Sequence, residues 1–240
     1  MKICFSRGLC LAALFCFALP AQAAEPTADE VAGNIQKLYE NTKDFKAAFN
    51  QTYSSAILGR NKVSSGFVYV KKPGMMRWDY NKPRPKHFVA DGKALYIFDP
   101  ELEQVMVDRQ FSGSQLSTAV TFLWGRGKLS DEFKISFSKR KDLLGTDRHV
   151  LEMVPKHKAR FQKLWFVVEK TSFRVLETII LDPGGNENRI HFSKMATNVG
   201  LKAAAFKFEI PKGMEVVEAP RAPSSRGGVY PRPKSPASKA

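Results

Sequence analysis

Cysteine is almost absent from this chain of 240 residues. The three cysteines are Cys4, Cys10 and Cys16. Because residues 24–240 contain none, that part of the chain can form no disulfide bond and no thiolate metal centre. A domain there must be stabilised by its apolar core, which a chain of this length can supply.

Recognisable catalytic and metal-binding motifs are also missing. The histidines are His87, His149, His157 and His191, and none has the spacing of a metal site. No Gly-X-Ser-X-Gly nucleophile motif occurs. Residues 125–128 resemble part of a phosphate-binding loop, but Phe122 stands in place of its first glycine and Leu129 in place of its Ser or Thr. We therefore expect no catalytic residue, no metal and no cofactor, and we do not expect an enzyme.

Acidic residues are too few to balance the basic ones. The formal net charge is +15 at pH 7, which favours anionic partners or a membrane surface. The basic residues are spread along the chain and are not clustered beside aromatic platforms, so we expect no nucleic-acid partner.

The first 23 residues have the pattern of a secretory signal peptide. Lys2 and Arg7 form a basic region, Leu9–Leu19 an apolar region, and Ala21–Ala23 a small-residue cleavage site. The alternative, a retained anchor, is disfavoured because the apolar run is too short to span a bilayer. We expect cleavage after Ala23 and export of the remaining chain.

Residues 24–219 are predicted to form one domain. Thr27–Glu30 has the pattern of a capping box, and the apolar spacing after it predicts an amphipathic helix over residues 28–41. Short segments of alternating polarity follow, with a hairpin signal at Asp91–Gly92 and a last predicted strand at Phe206–Ile210. One short helix is predicted over residues 114–123. This pattern predicts a mainly β fold, either an antiparallel barrel or a strongly curved sheet.

Residues 220–240 have a different composition. They contain five basic side chains, five prolines and no acid, and their only sizeable apolar residues are Val229 and Tyr230. Such a segment buries too little surface to become ordered, so we expect a disordered basic tail. A solvated tail without its own ligand is favoured over one that contacts an anionic envelope polymer or lipid headgroups.

The apolar residues include 18 phenylalanines and seven methionines. Met75 and Met76 lie beside Trp78, and methionine is common where a surface must fit variable apolar ligands. For any single one of these residues, an ordinary core position is the simpler interpretation. Together with a curved sheet and a short apolar helix, they favour a concave apolar binding surface.

Several motifs, in their order and spacing, resemble those of the LolA family, the periplasmic carriers of outer-membrane lipoproteins. The motifs are Phe45–Gln51, Val70–Trp78 with its Lys-Lys-Pro-Gly turn, Val89–Pro100 with its Asp-Gly-Lys hairpin, and Phe206–Gly213. The resemblance covers about residues 25–217 and leaves the basic tail outside. It implies an incomplete antiparallel β-barrel of about eleven strands, with lid helices that enclose an apolar cavity.

The resemblance also implies where the cavity and lid lie. By position, Met76 and Trp78 would face the acyl-chain cavity; strand alternation adds Phe49, Phe67, Phe88 and Ile97 as candidates. The lid would carry Leu116, Val120 and Leu123. Relatives have an arginine before the turn proline that hydrogen-bonds to the lid and holds it closed. Here that lid-latch candidate is Lys72, whose ammonium group cannot form the same planar fork, so we expect a weaker latch or other contacts.

The implied function is that of a periplasmic, monomeric chaperone for acylated lipoproteins. Each buried methylene holds a lipid in a membrane by about 0.8 kcal/mol. Non-covalent binding free energies reach at most about −18 to −21 kcal/mol, so such a carrier cannot extract a triacylated lipoprotein unaided. The resemblance supplies a Lol-type inner-membrane ABC transporter as donor and an outer-membrane acceptor.

The alternative is a LolA-like envelope regulator that senses lipid and binds a partner protein instead of shuttling cargo. Such regulators normally have a second folded domain. Only the predicted tail follows residue 219 here, so the carrier is favoured.

Overall fold

The structure is a computed structural model that describes residues 25–111 and 128–219. The predicted signal peptide, the helix predicted over residues 114–123 and the predicted tail lie outside these residues. The lid candidates Leu116, Val120 and Leu123 therefore lie outside them too. No helix among the described residues is both long and apolar enough to cross a membrane.

Helix α1 spans Ala28–Asn41, as the sequence predicts. The Thr27 hydroxyl accepts a hydrogen bond from the Glu30 backbone N–H at 3.2 Å, and the Glu30 carboxylate accepts one from the Thr27 backbone N–H at 2.7 Å. This reciprocal pair satisfies two backbone donors that the first turn would otherwise leave free. One face of the helix buries Val31, Ile35 and Tyr39 in the core.

Most of the remaining described residues form a single sheet. Its strands are β1 (Asp44–Ser55), β2 (Arg60–Lys71), β3 (Met75–Lys82), β4 (Lys86–Asp91), β5 (Leu95–Asp99), β6 (Gln104–Asp108), β7 (Phe133–Phe137), β8 (Arg148–Pro155), β9 (Lys163–Glu169), β10 (Val175–Leu181), β11 (Glu187–Thr197) and β12 (Glu215–Glu218). A one-turn helix, α2 (Leu129–Glu132), precedes β7, and 3₁₀ turns lie at Pro100–Leu102 and Ala203–Phe206.

The strand order is β12-β6-β5-β4-β3-β2-β1-β11-β10-β9-β8-β7, so the sheet is open, with β12 and β7 at its edges. Every neighbouring pair is antiparallel except β12 with β6, which is parallel. Two meanders, β1–β6 and β7–β11, meet where β1 pairs with β11. The predicted mainly β, open half-barrel class is confirmed.

One residue in β2 must be glycine for the sheet to form as it does. A Cβ atom built on Gly66 would lie 1.9 Å from the backbone carbonyl oxygen of Asp79 in β3. The pairing of β2 with β3 shifts register beside it, between Ser65 and Gly66. Gly66 thus allows the two backbones to approach closely at an irregular point of the sheet.

The two faces of the sheet are both apolar, but they are covered differently. The inner face packs against α1 and holds the large core cluster that includes Phe45, Phe49, Trp78 and Phe166. On the outer face of β8–β10, a smaller cluster forms around Trp165, under the loop that joins β7 to β8.

The predicted strand at Phe206–Ile210 is wrong. Phe206 is completely buried at the end of a 3₁₀ turn, and the Phe208 ring lies 5.3 Å from the Tyr96 ring and 5.7 Å from the Phe98 ring. The segment therefore crosses the outer face of the sheet instead of pairing along an edge. The last strand among the described residues is β12, which follows it. Alternating phenylalanines give the same sequence pattern whether the segment is a strand paired in the sheet or an irregular segment that lies across its face.

Candidate functional site

The inner face of the sheet carries a connected group of aromatic rings on β1, β3, β4 and β11. The Phe49 ring makes edge contacts with Trp78 and Tyr80, each at 4.9 Å between centroids. Tyr80 continues to Phe88 at 5.7 Å, and Trp78 continues to Phe192 at 6.3 Å. Edge-to-face contacts of this kind favour one arrangement of the rings, so they form an ordered apolar surface.

Five of the six predicted cavity residues lie together on this inner face. Phe49, Met76 and Trp78 are buried in the core cluster, and Phe88 and Ile97 are half-buried against it. Strand register explains the grouping, because Trp78 pairs with Phe88 and Phe88 pairs with Ile97 across β3, β4 and β5. Paired residues on neighbouring strands share a face.

The sixth residue, Phe67, is not on the inner face, so that prediction is wrong. Its side chain is 43% exposed, whereas its neighbour Val68 is completely buried. Val68 pairs with Trp78, and Phe67 pairs with Asp79 on the outer face. The alternation of β2 has the expected two-residue period, but the inward-facing residues are Val68 and Val70 and not Phe67. A shift of one residue along a strand moves each side chain to the opposite face.

Towards the end of the sheet where β1 turns into β2, the inner face becomes polar. Tyr80 Oη donates a hydrogen bond to Gln51 Oε1 at 2.9 Å, and Gln51 Nε2 donates one to Asn188 Oδ1 at 2.8 Å. Burial raises the pKa of Tyr80 to about 12, so the phenol stays protonated at neutral pH. We call this set of Gln51, Tyr80 and Asn188 the polar rim.

A charged pair extends this polar region on β4 and β5. Asp99 is buried at the end of β5, and neither of its carboxylate oxygens accepts a hydrogen bond from the described residues. The Lys86 ammonium lies 3.5 Å from this carboxylate and 5.6 Å from the centre of the Phe88 ring. Neither Asp99 nor the polar rim is predicted from the sequence. Continuing the β1 alternation from Phe49 to Gln51 would have indicated it.

Lys72, the latch candidate, contacts the last turn of α1. Its Nζ donates to the carbonyl oxygens of Tyr39 and Glu40, the latter at 3.2 Å. These carbonyls belong to a helix C-terminus, where the helix dipole favours a cation; the Tyr39 carbonyl also accepts a hydrogen bond from the Thr42 N–H at 3.2 Å. Burial lowers the pKa of the Lys72 ammonium group. The lysine thus ties the β2–β3 turn to the helix that covers the inner face.

Tyr39 provides a second attachment for the same end of α1. Its ring stands edge-on to Phe45 at 6.4 Å, and its hydroxyl accepts a hydrogen bond from the Val175 N–H at 3.4 Å. Burial raises the pKa of Tyr39 to about 12. Helix α1 is therefore held at one end by both meanders, through Lys72 of β2–β3 and through β10.

Chemically, this site consists of apolar side chains, most of them buried, with hydrogen-bonding groups at one end. Among residues 25–111 and 128–219, no three His, Cys, Asp or Glu side chains are grouped so as to hold a metal ion. The arrangement defines a class of proteins: incomplete antiparallel β-barrels whose apolar inner face is covered by helical segments.

Comparison with known proteins identifies the family within this class. A family model described as "Outer membrane lipoprotein carrier protein LolA" matches residues 40–209. The chain belongs to the LolA family.

Individual relatives agree with this assignment. The chain is similar to an outer-membrane lipoprotein carrier protein of Chromobacterium violaceum, with 30% identity over 204 residues, 83% of this chain and 93% of the relative. A protein of the same name from Dechloromonas aromatica is 32% identical over 206 residues, 84% of this chain and 93% of the relative. The crystal structure of an uncharacterized conserved protein from Thermus thermophilus has the same fold, with a TM-score of 0.51 and 15% identity over 80% of this chain and 98% of that chain.

Proposed function

We propose that this protein is a periplasmic carrier that shields the acyl chains of lipoproteins between the two membranes of the envelope. An inner-membrane ABC transporter of the Lol type supplies the cargo, and an outer-membrane acceptor receives it. The observation that carries this proposal is the connected aromatic surface from Phe49 through Trp78 and Phe88 on the inner face. Membership of the LolA family supports it.

The polar rim gives the bound lipoprotein an orientation. Acyl chains have no hydrogen-bonding groups, so they gain most from contact with Trp78, Phe88 and Ile97. Ester and amide carbonyls of the lipidated terminus need donors when they leave water. The remaining amide N–H groups of Gln51 and Asn188 are such donors. In this proposal the acyl chains lie along the aromatic surface and the polypeptide leaves at the polar rim.

Energetics require a donor and an acceptor on either side of this carrier. Each methylene of the cargo is held in a membrane by about 0.8 kcal/mol, and a triacylated lipoprotein has tens of them. A binding site limited to about −21 kcal/mol cannot extract it by affinity alone. Opening of α1 away from the inner face, at the end held by Lys72, is the step at which a donor could load the site.

The test is native mass spectrometry of the mature protein purified intact from periplasmic extract. We expect one-to-one adducts with acylated lipoproteins. Trp78→Asp and Ile97→Asp should both lose these adducts, because each places a carboxylate against the acyl chains. Ile97 is only half-buried, so its variant keeps the test valid if the buried Trp78 variant fails to fold.

Phe67→Asp is the matched control, since Phe67 lies on the strand next to Trp78 but faces outward. It should retain the adducts. Adducts that survive in folded Ile97→Asp would show that the aromatic surface is not the acyl site. A stable complex with a protein that carries no acyl chain would instead favour the lipid-sensing regulator.

A further inference from the structure

The β1–β2 hairpin ends in two apolar side chains that project into water. Ile57 is 86% exposed and Leu58 is 69% exposed, the highest values for large apolar residues in the described part of the chain. They occupy the turn at residues 56–59, which we call the tip. Large apolar side chains exposed side by side at a projection mark an interaction site more often than isolated ones do.

The tip is a built structure and not a loose loop. The strands β1 and β2 pair without interruption up to Ser55 and Arg60. The Gly59 N–H donates to the Ser55 carbonyl at 2.9 Å, and the Ala56 N–H donates to Asn186 Oδ1 in the adjoining turn at 3.1 Å. Gly59 has φ +58°, which glycine adopts without strain. Because these backbone donors are paired, the tip can leave water at lower cost than an open loop could.

Charge around the tip is positive. Arg60 and Lys62 are exposed just after it, and residues 52–63 contain no acid. Two acids lie near the hairpin, but each is already engaged. Asp182 accepts hydrogen bonds from the backbone N–H groups of Gly184 at 2.8 Å and Asn186 at 2.9 Å. Glu187 is paired with Arg140 at 2.8 Å. With Glu187 neutralised by Arg140, the two cations Arg60 and Lys62 outweigh Asp182, so an anionic surface can approach the tip without strong repulsion.

We propose that the tip docks the protein on the surface of an anionic phospholipid bilayer. Ile57 and Leu58 enter the boundary between headgroups and acyl chains, while Arg60 and Lys62 bind the lipid phosphates. A bilayer fits these observations better than a protein partner does. A specific protein interface usually buries about 1,000 Å² or more, which two side chains cannot supply. A few apolar side chains with adjacent cations are enough for weak interfacial binding.

The docking is weak and reversible. A single myristoyl chain gives an association constant of only about 10⁴ M⁻¹, and the tip has fewer methylene groups than that chain. The tip lies at the same end of β1 as Gln51, beyond the polar rim. A bilayer contacted by the tip would therefore face the polar end of the inner face.

A site-specific fluorophore tests the contact directly. Residues 24–240 contain no cysteine, so Leu58→Cys in the mature protein gives a single labelling site for an environment-sensitive nitrobenzoxadiazole probe. On vesicles of phosphatidylglycerol and phosphatidylcholine we expect a blue shift and a gain in emission. Leu144→Cys is the matched control, because Leu144 is 56% exposed on another loop. Its emission should stay unchanged.

Partitioning of unlabelled variants into the same vesicles gives the energetic test. Ile57→Ser/Leu58→Ser should weaken binding at least about tenfold, because most of the apolar contact is removed. Arg60→Gln/Lys62→Gln should weaken it about fivefold for each cation, and only on anionic vesicles. Leu144→Ser should bind as the wild type does. All these residues are exposed, so folding should be unaffected.

Two results would overturn the proposal. If Ile57→Ser/Leu58→Ser binds vesicles as tightly as the wild type does, charge elsewhere, such as the basic residues 220–240, accounts for any binding. If the probe at residue 58 stays in water while a purified envelope protein protects it, the tip docks on that protein and not on lipid. Either outcome leaves the carrier function untouched, since cargo adducts are measured separately.

Discussion

Replacing Lys72 with methionine should loosen the last turn of α1 from the sheet. The ammonium group donates hydrogen bonds to the carbonyl oxygens of Tyr39 and Glu40. Methionine keeps the length and apolar contacts of the side chain but removes the donors and the charge. The two carbonyls are then left without this partner at the helix C-terminus.

The expected loss follows from the number and kind of these bonds. Hydrogen bonds to charged groups contribute about 1.5–3 kcal/mol each when buried. Lys72 is only half-buried and Glu40 is exposed, so water can replace the lost donors and offset much of this free energy. A net loss of about 2 kcal/mol for the pair corresponds to about a thirtyfold rise in the opening equilibrium of the helix end.

Hydrogen–deuterium exchange on peptides from α1 measures this opening. In Lys72→Met, amides of the last turn should exchange about thirtyfold faster, while those of β9 and β10 change little. Lys71→Met is the control, with the same loss of charge one residue earlier. Lys72→Arg should retain the protection, since arginine offers more donors. Equal exchange rates in Lys72→Met and Lys71→Met would show that Lys72 does not hold the end of α1 on the sheet.

Three further predictions concern stability. Gly66→Ala should destabilise the protein by about 2 kcal/mol or more in urea unfolding, because its Cβ would collide with the Asp79 carbonyl oxygen 1.9 Å away. Phe206→Ala should cost about 3–5 kcal/mol by the same measurement, and a near-neutral result would mean that the Phe206 ring is not packed in a closed core. A hydrogen bond from Arg140 lowers the pKa of Asp142 from 3.8 to about 2. Asp142→Asn should therefore cost about 0.5 kcal/mol at pH 7, and its stability difference from the wild type should fade as the pH falls from 4 through 2, because Asp142 becomes protonated first in the unfolded and then in the folded chain.

Much of the fold could be predicted because local chemistry decides it. The Thr27–Glu30 capping box starts α1 where expected, and the Asp91–Gly92 turn connects β4 to β5. The strand predicted at Phe206–Ile210 is absent, because Phe208 packs across the outer face on Tyr96 and Phe98, which lie far away in sequence. An alternating polar and apolar pattern indicates that one face of a segment is buried, but it does not indicate which other residues cover that face.

The candidate site was predicted less completely for a related reason. Trp78, Phe88 and Ile97 share a face because three strands pair in register, and their alternation was assigned correctly. The inward-facing residues of β2 were assigned wrongly. Phe67 and Val68 are both apolar, and only the pairing of β2 with β3 decides which of them faces inward. The polar rim joins Gln51 to Asn188, two residues 137 positions apart. Alternation along β1 could place Gln51 on the inner face, but no local pattern could connect it to Asn188.

The seam between β1 and β11 has a consequence for how the chain folds. Each meander is built from neighbouring hairpins, which close quickly because their contacts are local. The seam joins strands that lie at opposite ends of the domain sequence, so the entropy of closing a very long loop must be overcome before it forms. Formation of this pair is therefore expected to limit the folding rate. Until it forms, each meander has an unpaired strand edge that could pair with another newly made chain.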